Sequence, residues 1–197
     1  MSADSPSPAD AVRARFDALA CDPAAEARFA VGPSSARALG YGYGDLAAFP
    51  AAAAAFAGVG DPLADFLPAP GSRVLDVGCG AGLDLLRAAA AIGPHGRAVG
   101  VDFAPAMVAR ARAAALAAGL ASRVHVVVAA AAALPCANAA FDVVASNGAL
   151  NLCVDKPAVL RETARVLRAG GELRLCDVLV DPGADAAAVA RAGAWSD

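Results

Sequence analysis

The chain has 197 residues, 58 of them alanine, with 16 basic against 19 acidic side chains and a formal net charge of −3. No long apolar run predicts a membrane span, the Ser/Pro/Asp-rich start Met1–Asp10 lacks the features of a secretory signal, and no basic block points to nucleic acid. Five scattered cysteines, Cys21, Cys79, Cys136, Cys153 and Cys176, have no CxxC spacing and read as reduced cytoplasmic thiols, with neither a disulfide framework nor a metal site.

Ala11–Ala20 predicts a short helix, stopped by the turn residues Cys21-Asp22-Pro23. The pentalanine run 51–55, inside a Gly/Tyr/Ala segment over 38–62, reads as helix because alanine is the best helix former. Residues 1–62 are taken as a helical extension covering the site, and 63–197 as the domain that carries it. From Arg73 the texture changes. Arg73–Val77 predicts a strand, Leu83–Ile92 a helix stopped by Gly93-Pro94, and Ala98–Asp102 a second strand. Pro105–Ala118 predicts a helix with proline in its first turn and Gly119 past its end. Val124–Val128 and Phe141–Ser146 predict strands, Pro157–Leu167 a helix, Glu172–Val180 a fifth strand and Ala184–Ala194 a last helix. Apolar strands alternating with helices imply βαβ units. The fold class is α/β, a doubly wound, mostly parallel sheet, which puts any ligand at the carboxyl ends of the strands.

The most informative segment is Val74-Leu75-Asp76-Val77-Gly78-Cys79-Gly80-Ala81-Gly82, a strand running through Asp-x-Gly-x-Gly-x-Gly into a helix. Glycines serve such a turn where a ligand must approach the backbone with no Cβ in the way. Dinucleotide-binding turns share the bare glycines, but here Leu83 stands where their third, helix-packing glycine is usual, and Asp76 lies inside the strand. Twenty residues after Gly82 a second strand ends in Asp102, placed to accept both hydroxyls of a ribose. Together these predict an adenosine-containing ligand.

VLDVGCGAG, GVDFAPAM, FDVVASN and LRETARVLRAGGELRL, taken in order, resemble the successive motifs of class I S-adenosylmethionine-dependent methyltransferases over roughly residues 70–180. The resemblance implies S-adenosyl-L-methionine as cofactor and a small-molecule acceptor. It puts Asp76 and the loop residues Gly78, Cys79, Gly80 and Gly82 at the methionine part, Asp102 on the ribose and Phe103 beside the adenine. Ser146 and Asn147, at the end of the fourth strand, would lie beside the methionine moiety and the substrate. Such enzymes usually carry an acid after the third strand. Here that stretch is Ala129–Ala133, with Ala130 at the acidic position and Ala131 retained as a cofactor contact. A lost hydrogen bond of this kind costs about 1 kcal/mol, which weakens cofactor binding without abolishing it. The family also adds two final strands, expected to be missing here. The fifth strand is then expected at an edge, where a second copy in a homodimer could cover it.

A narrower resemblance, to bacterial arsenite methyltransferases, rests on Leu39-Gly40-Tyr41, Gly58-Val59-Gly60-Asp61-Pro62, Ser146-Asn147-Gly148-Ala149-Leu150-Asn151-Leu152 and Asp155-Lys156-Pro157. That family holds trivalent arsenic with cysteine thiolates, since a soft metalloid prefers sulfur donors. Here Val59, Gly148 and Ala30-Val31 occupy those cysteine positions. Cys153 reads as a small buried thiol, and neither Cys136 nor Cys176 falls at a family position. The scaffold is therefore expected without the arsenic chemistry. Two alternatives stay open, a degenerate arsenite site and a catalytically silent binding module. His95, in a Gly-Pro-His-Gly turn, and His125, at the start of the third strand, are given no catalytic role, and no residue presents itself as an acid or base.

Overall fold

The computed structural model describes residues 7–179 together with Asp181, Gly183 and Asp185. Four helices come first: α1 (Pro8–Cys21), α2 (Pro33–Ala38), α3 (Tyr43–Ala48) and α4 (Pro50–Ala53). They lead into β1 (Arg73–Val77), α5 (Leu83–Ala91), β2 (Arg97–Asp102), α6 (Pro105–Ala117), β3 (Val124–Val128), β4 (Phe141–Asn147), α7 (Lys156–Val166) and β5 (Leu167–Cys176). The strands are all parallel, in the order β3-β2-β1-β4-β5. Chain progression reverses beside β1, and the crevice at such a switch point is where doubly wound sheets bind ligands. No described helix is long and apolar enough to cross a membrane.

Alternation along the strands sorts the core. Val74 packs in a cluster with Leu85 and Leu86 of α5 and Val108 and Ala111 of α6. Leu75 and Val77 join Val144, Phe141, Leu134 and Val166 of α7. A third cluster seats α1 through Leu19 and Ala20 against Ala55, Ala104 and Met107. The link to α6 is also polar. Ala104, at the N-cap of α6, provides no capping side chain, and Asp17 Oδ1 of α1 accepts the Ala106 N–H at 2.8 Å instead. Arg110 of α6 donates in return to the Ala20 carbonyl at 2.8 Å.

Several expected boundaries move; α1, for one, starts at Pro8 rather than Ala11. The pentalanine run is helical only to Ala53; Ala52, Ala53 and Ala55 are all buried, and the chain turns so that the Phe56 carbonyl accepts the Gly32 N–H. The fifth strand starts at Leu167 rather than Glu172. Leu167 pairs with Phe141 and Glu172 with Val143, so residues 168–171 form a bulge within the strand, with Gly170 at φ +72°. The same strand ends at Cys176, and Val180 and, Asp185 apart, the helix expected over Ala184–Ala194 lie outside the described residues.

Candidate functional site

Register aligns the carboxyl ends of three strands, because Val77 pairs with both Val101 and Ser146. Above them lies a cavity of about 350 Å³. The glycine loop forms one wall. Gly78 and Cys79 both donate their N–H groups to the Val101 carbonyl, at 2.8 and 3.1 Å, and Gly80 N–H donates to Asp102 Oδ2 at 2.8 Å. Gly78 has φ +74°, and a Cβ there would lie 2.3 Å from that of Ala149. At Gly80, φ +50°, an added Cβ would meet nothing within 4 Å. Gly80 thus faces the space a ligand would fill.

Four carboxylates line the cavity, Asp76, Asp84, Asp102 and Asp155, and none of its described lining residues is Lys, Arg or His. Asp102 also accepts the Ala104 N–H at 2.9 Å. Burial pushes Asp76, Asp84 and Asp102 upward from the ordinary carboxylate range. For Asp76 the neighbouring Asp84 and Asp102 charges add to the effect, while the Leu85 N–H opposes it.

One polar network closes a side of the cavity. Tyr41 Oη lies 2.8 and 2.9 Å from the two carboxylate oxygens of Asp84. Asn147 Nδ2 donates to Asp84 at 3.0 Å and to the Gly60 carbonyl at 2.8 Å. Its Oδ1 accepts the N–H groups of Val59 and Gly60 at 2.9 and 3.1 Å. Arg87, one turn along α5, pairs with Asp61, Asp84 and Asp45 at 2.7, 3.0 and 2.9 Å. Its guanidinium sits 4.5 Å from the Tyr41 ring centroid. The segment from Tyr41 to Asp61 is thereby fastened over the ends of β1 and β4.

Of the ten expected site residues, Asp76, Gly78, Cys79, Gly80, Gly82, Asp102, Phe103, Ala131 and Asn147 all line the cavity. Ser146 does not. Strand alternation turns it to the α7 face, where its hydroxyl donates to the Val77 carbonyl at 2.8 Å. Ala130 also lines the cavity. His95 and His125 are exposed and away from it. The residues that sequence reasoning missed are Asp84, Tyr41 and Arg87, with Phe16, Phe56 and Met107 on the apolar wall. An acid two residues past the last loop glycine was the available signal for Asp84. Val59 and Gly148, where the resemblance to arsenite methyltransferases leads one to expect cysteines, meet in space, since a Cβ on Gly148 would lie 3.3 Å from Val59 Cγ1.

A parallel doubly wound sheet with this loop, and an acid at the end of β2, is the arrangement on which an adenosine-type ligand is expected. The chain belongs to the methyltransferase-domain family, whose model matches residues 68–192. It is 39% identical over 146 residues to an arsenite methyltransferase of Halobacterium salinarum, which covers 74% of this chain and 37% of that protein. It is 40% identical over 123 residues to the 27-O-demethylrifamycin SV methyltransferase of Amycolatopsis mediterranei, covering 62% of this chain and 44% of that one. The crystal structure of an arsenic(III) S-adenosylmethionine methyltransferase from Chlamydomonas reinhardtii superposes with a TM-score of 0.56 at 32% identity, covering 75% of this chain and 50% of that one. The chain thus spans less than half the length of these two curated relatives.

Proposed function

We propose that this chain is a class I methyltransferase that binds S-adenosyl-L-methionine and methylates a small-molecule acceptor other than arsenite. The observation that carries the reading is a glycine-walled cavity lined by four carboxylates and, among its described residues, no cationic side chain. S-adenosylmethionine fits that set, because it brings a sulfonium and an ammonium charge. A dinucleotide pyrophosphate does not, since it needs free N–H donors or cations. Here the N–H groups of Gly78, Cys79 and Gly80 are already taken by Val101 and Asp102. The bound cofactor supplies a methyl group on a sulfonium, open to in-line attack. The chain's contribution is to orient that group, hold the acceptor beside it and keep water out. Asp102 holds the ribose, and Phe103 flanks the adenine.

Against arsenite stands the replaced pair Val59 and Gly148. Cys153 does line the cavity. Its thiol points to the Ala149 carbonyl at 3.3 Å, and burial pushes it up, away from the thiolate that binds a soft metalloid. Calorimetry with S-adenosylmethionine and S-adenosylhomocysteine, with NAD as control, tests the cofactor, and no heat at millimolar ligand would overturn it. Incubation with arsenite, a thiol and cofactor tests the acceptor; methylated arsenic in the products would restore the arsenite reading.

A further inference from the structure

Asp84 counts above only as one of four carboxylates, with no role of its own, yet it is the most elaborately held acid of the cavity. It sits in the first turn of α5, 8% exposed. Three donors reach it: the Tyr41 hydroxyl, Asn147 Nδ2 and Arg87 Nη1. A carboxylate offers about four acceptor positions, so one stays open on an acid that lines the cavity. Its charge is not neutralised either, because Arg87 is shared among Asp84, Asp61 and Asp45. Three carboxylates to one guanidinium leave a local excess of two negative charges.

The other acids of the cavity have different engagements. Asp102 lies at the end of β2 with an N–H on each oxygen. Asp76 lies under the start of α5, where the Leu85 N–H supports its charge. Asp155 is exposed and caps α7 through the Ala158 N–H at 2.8 Å. An open acceptor position beside uncompensated charge selects a cation that carries N–H donors. An ammonium meets both conditions; a sulfonium carries no such donor.

We infer that Asp84 receives the ammonium group at the amino-acid end of the cofactor, and that Tyr41 and Asn147 are positioning residues that aim its carboxylate. The assignment rests on S-adenosylmethionine being the ligand of this cavity. It also gives the Tyr41, Gly60 and Asn147 motifs a common purpose, since Tyr41 and Asn147 both reach this carboxylate and the Gly60 carbonyl lies against both of them.

The test compares three ligands by calorimetry. S-adenosylmethionine carries the ammonium and the sulfonium, S-adenosylhomocysteine the ammonium alone, and 5′-methylthioadenosine neither. Asp84→Asn is expected to weaken the first two by roughly ten- to a hundredfold, the range for a charged hydrogen bond, and to leave the third within about twofold. Tyr41→Phe, which leaves Asp84 in place but less firmly aimed, is expected to give the same pattern at a few-fold, and it provides the comparison should Asp84→Asn not fold. Equal weakening of all three ligands means a merely structural Asp84 and overturns the inference. Weakening of S-adenosylmethionine alone moves Asp84 to the sulfonium and overturns it as well. Wild-type protein that binds none of the three overturns the cofactor reading itself, a result distinct from the other two.

Discussion

At the scale of single residues, Gly78 and Gly80 separate stability from binding. Both have positive φ, but only Gly78 would drive a Cβ into a neighbour, Ala149. Gly78→Ala is expected to lower the melting temperature markedly, since overpacking costs about 1–3 kcal/mol on top of left-handed backbone strain. Gly80→Ala is expected to cost stability only through backbone strain, about 1–2 kcal/mol, while weakening cofactor binding by filling the ligand's space. Thermal melts alongside titrations read the two effects apart; a Gly80→Ala protein with unaltered affinity would remove the loop from the site. Arg87→Ala leaves Asp61 and Asp84 buried without their cation and is expected to cost about 3–5 kcal/mol in a denaturant titration. The glycine loop and Asp102 were legible because their roles depend on neighbours in sequence. Asp84 was not, because an acid in the first turn of a helix is ordinary dipole chemistry. Only Tyr41 and Asn147, brought in from far along the chain, make it exceptional.

At the scale of elements, β1 and β3 fall on their predicted bounds, since short Val/Leu runs between turn residues admit little else. The start of β5 was hidden. Ala169-Gly170-Gly171 reads as a break, but the backbone pairs again at Glu172 and absorbs the glycines as a bulge. Ser146 illustrates the period of two, in that one step along β4 decides between the cavity and the opposite face. The seating of α1 gives a prediction of its own. Asp17 caps α6 from another helix, so Asp17→Ala is expected to cost about 1 kcal/mol and a few degrees of melting temperature. It is also expected to weaken cofactor binding, because Phe16 beside it lines the cavity. A melt and a titration on the same variant check both halves.

For the whole molecule, the raised carboxylates set the response to pH. Asp76, Asp84 and Asp102 stand above their ordinary value of 3.8 in the folded state, so folded protein binds more protons than unfolded protein above that pH. Their contribution to stability is complete below about 3.8 and is lost as pH rises through the raised values. Glu162 runs the other way. Held down to about 2 by Arg165, it loses its contribution as pH falls from 4.5 toward that value. A cationic cofactor favours the ionised carboxylates. Binding is therefore expected to tighten with rising pH and to release protons, measured as a difference in binding heat between buffers of unlike ionisation enthalpy. Identical heats would contradict it. The alanine content sharpens at this scale too. It thins parts of the core, where Ala36, Ala52, Ala53, Ala88 and Ala89 are buried, and it also lines the cavity through Ala129–Ala132.

The fastening of Tyr41, Gly60, Asp84 and Asn147 also bears on how the chain folds. Its hydrogen bonds join residues 43, 63, 87 and 106 positions apart. Closing loops of that size comes before any reward from the contacts they allow. The site is thus expected to assemble only after β1 and β4 have paired, and no fragment ending before β4 can hold it, because Asn147 is the last residue of that strand. A ligand of the finished site therefore stabilises the native fold as a unit, by about 2.7 kcal/mol at a hundred times its Kd. Thermal upshift with cofactor becomes a readout of complete folding, and variants that loosen the sheet far from the cavity will register in it.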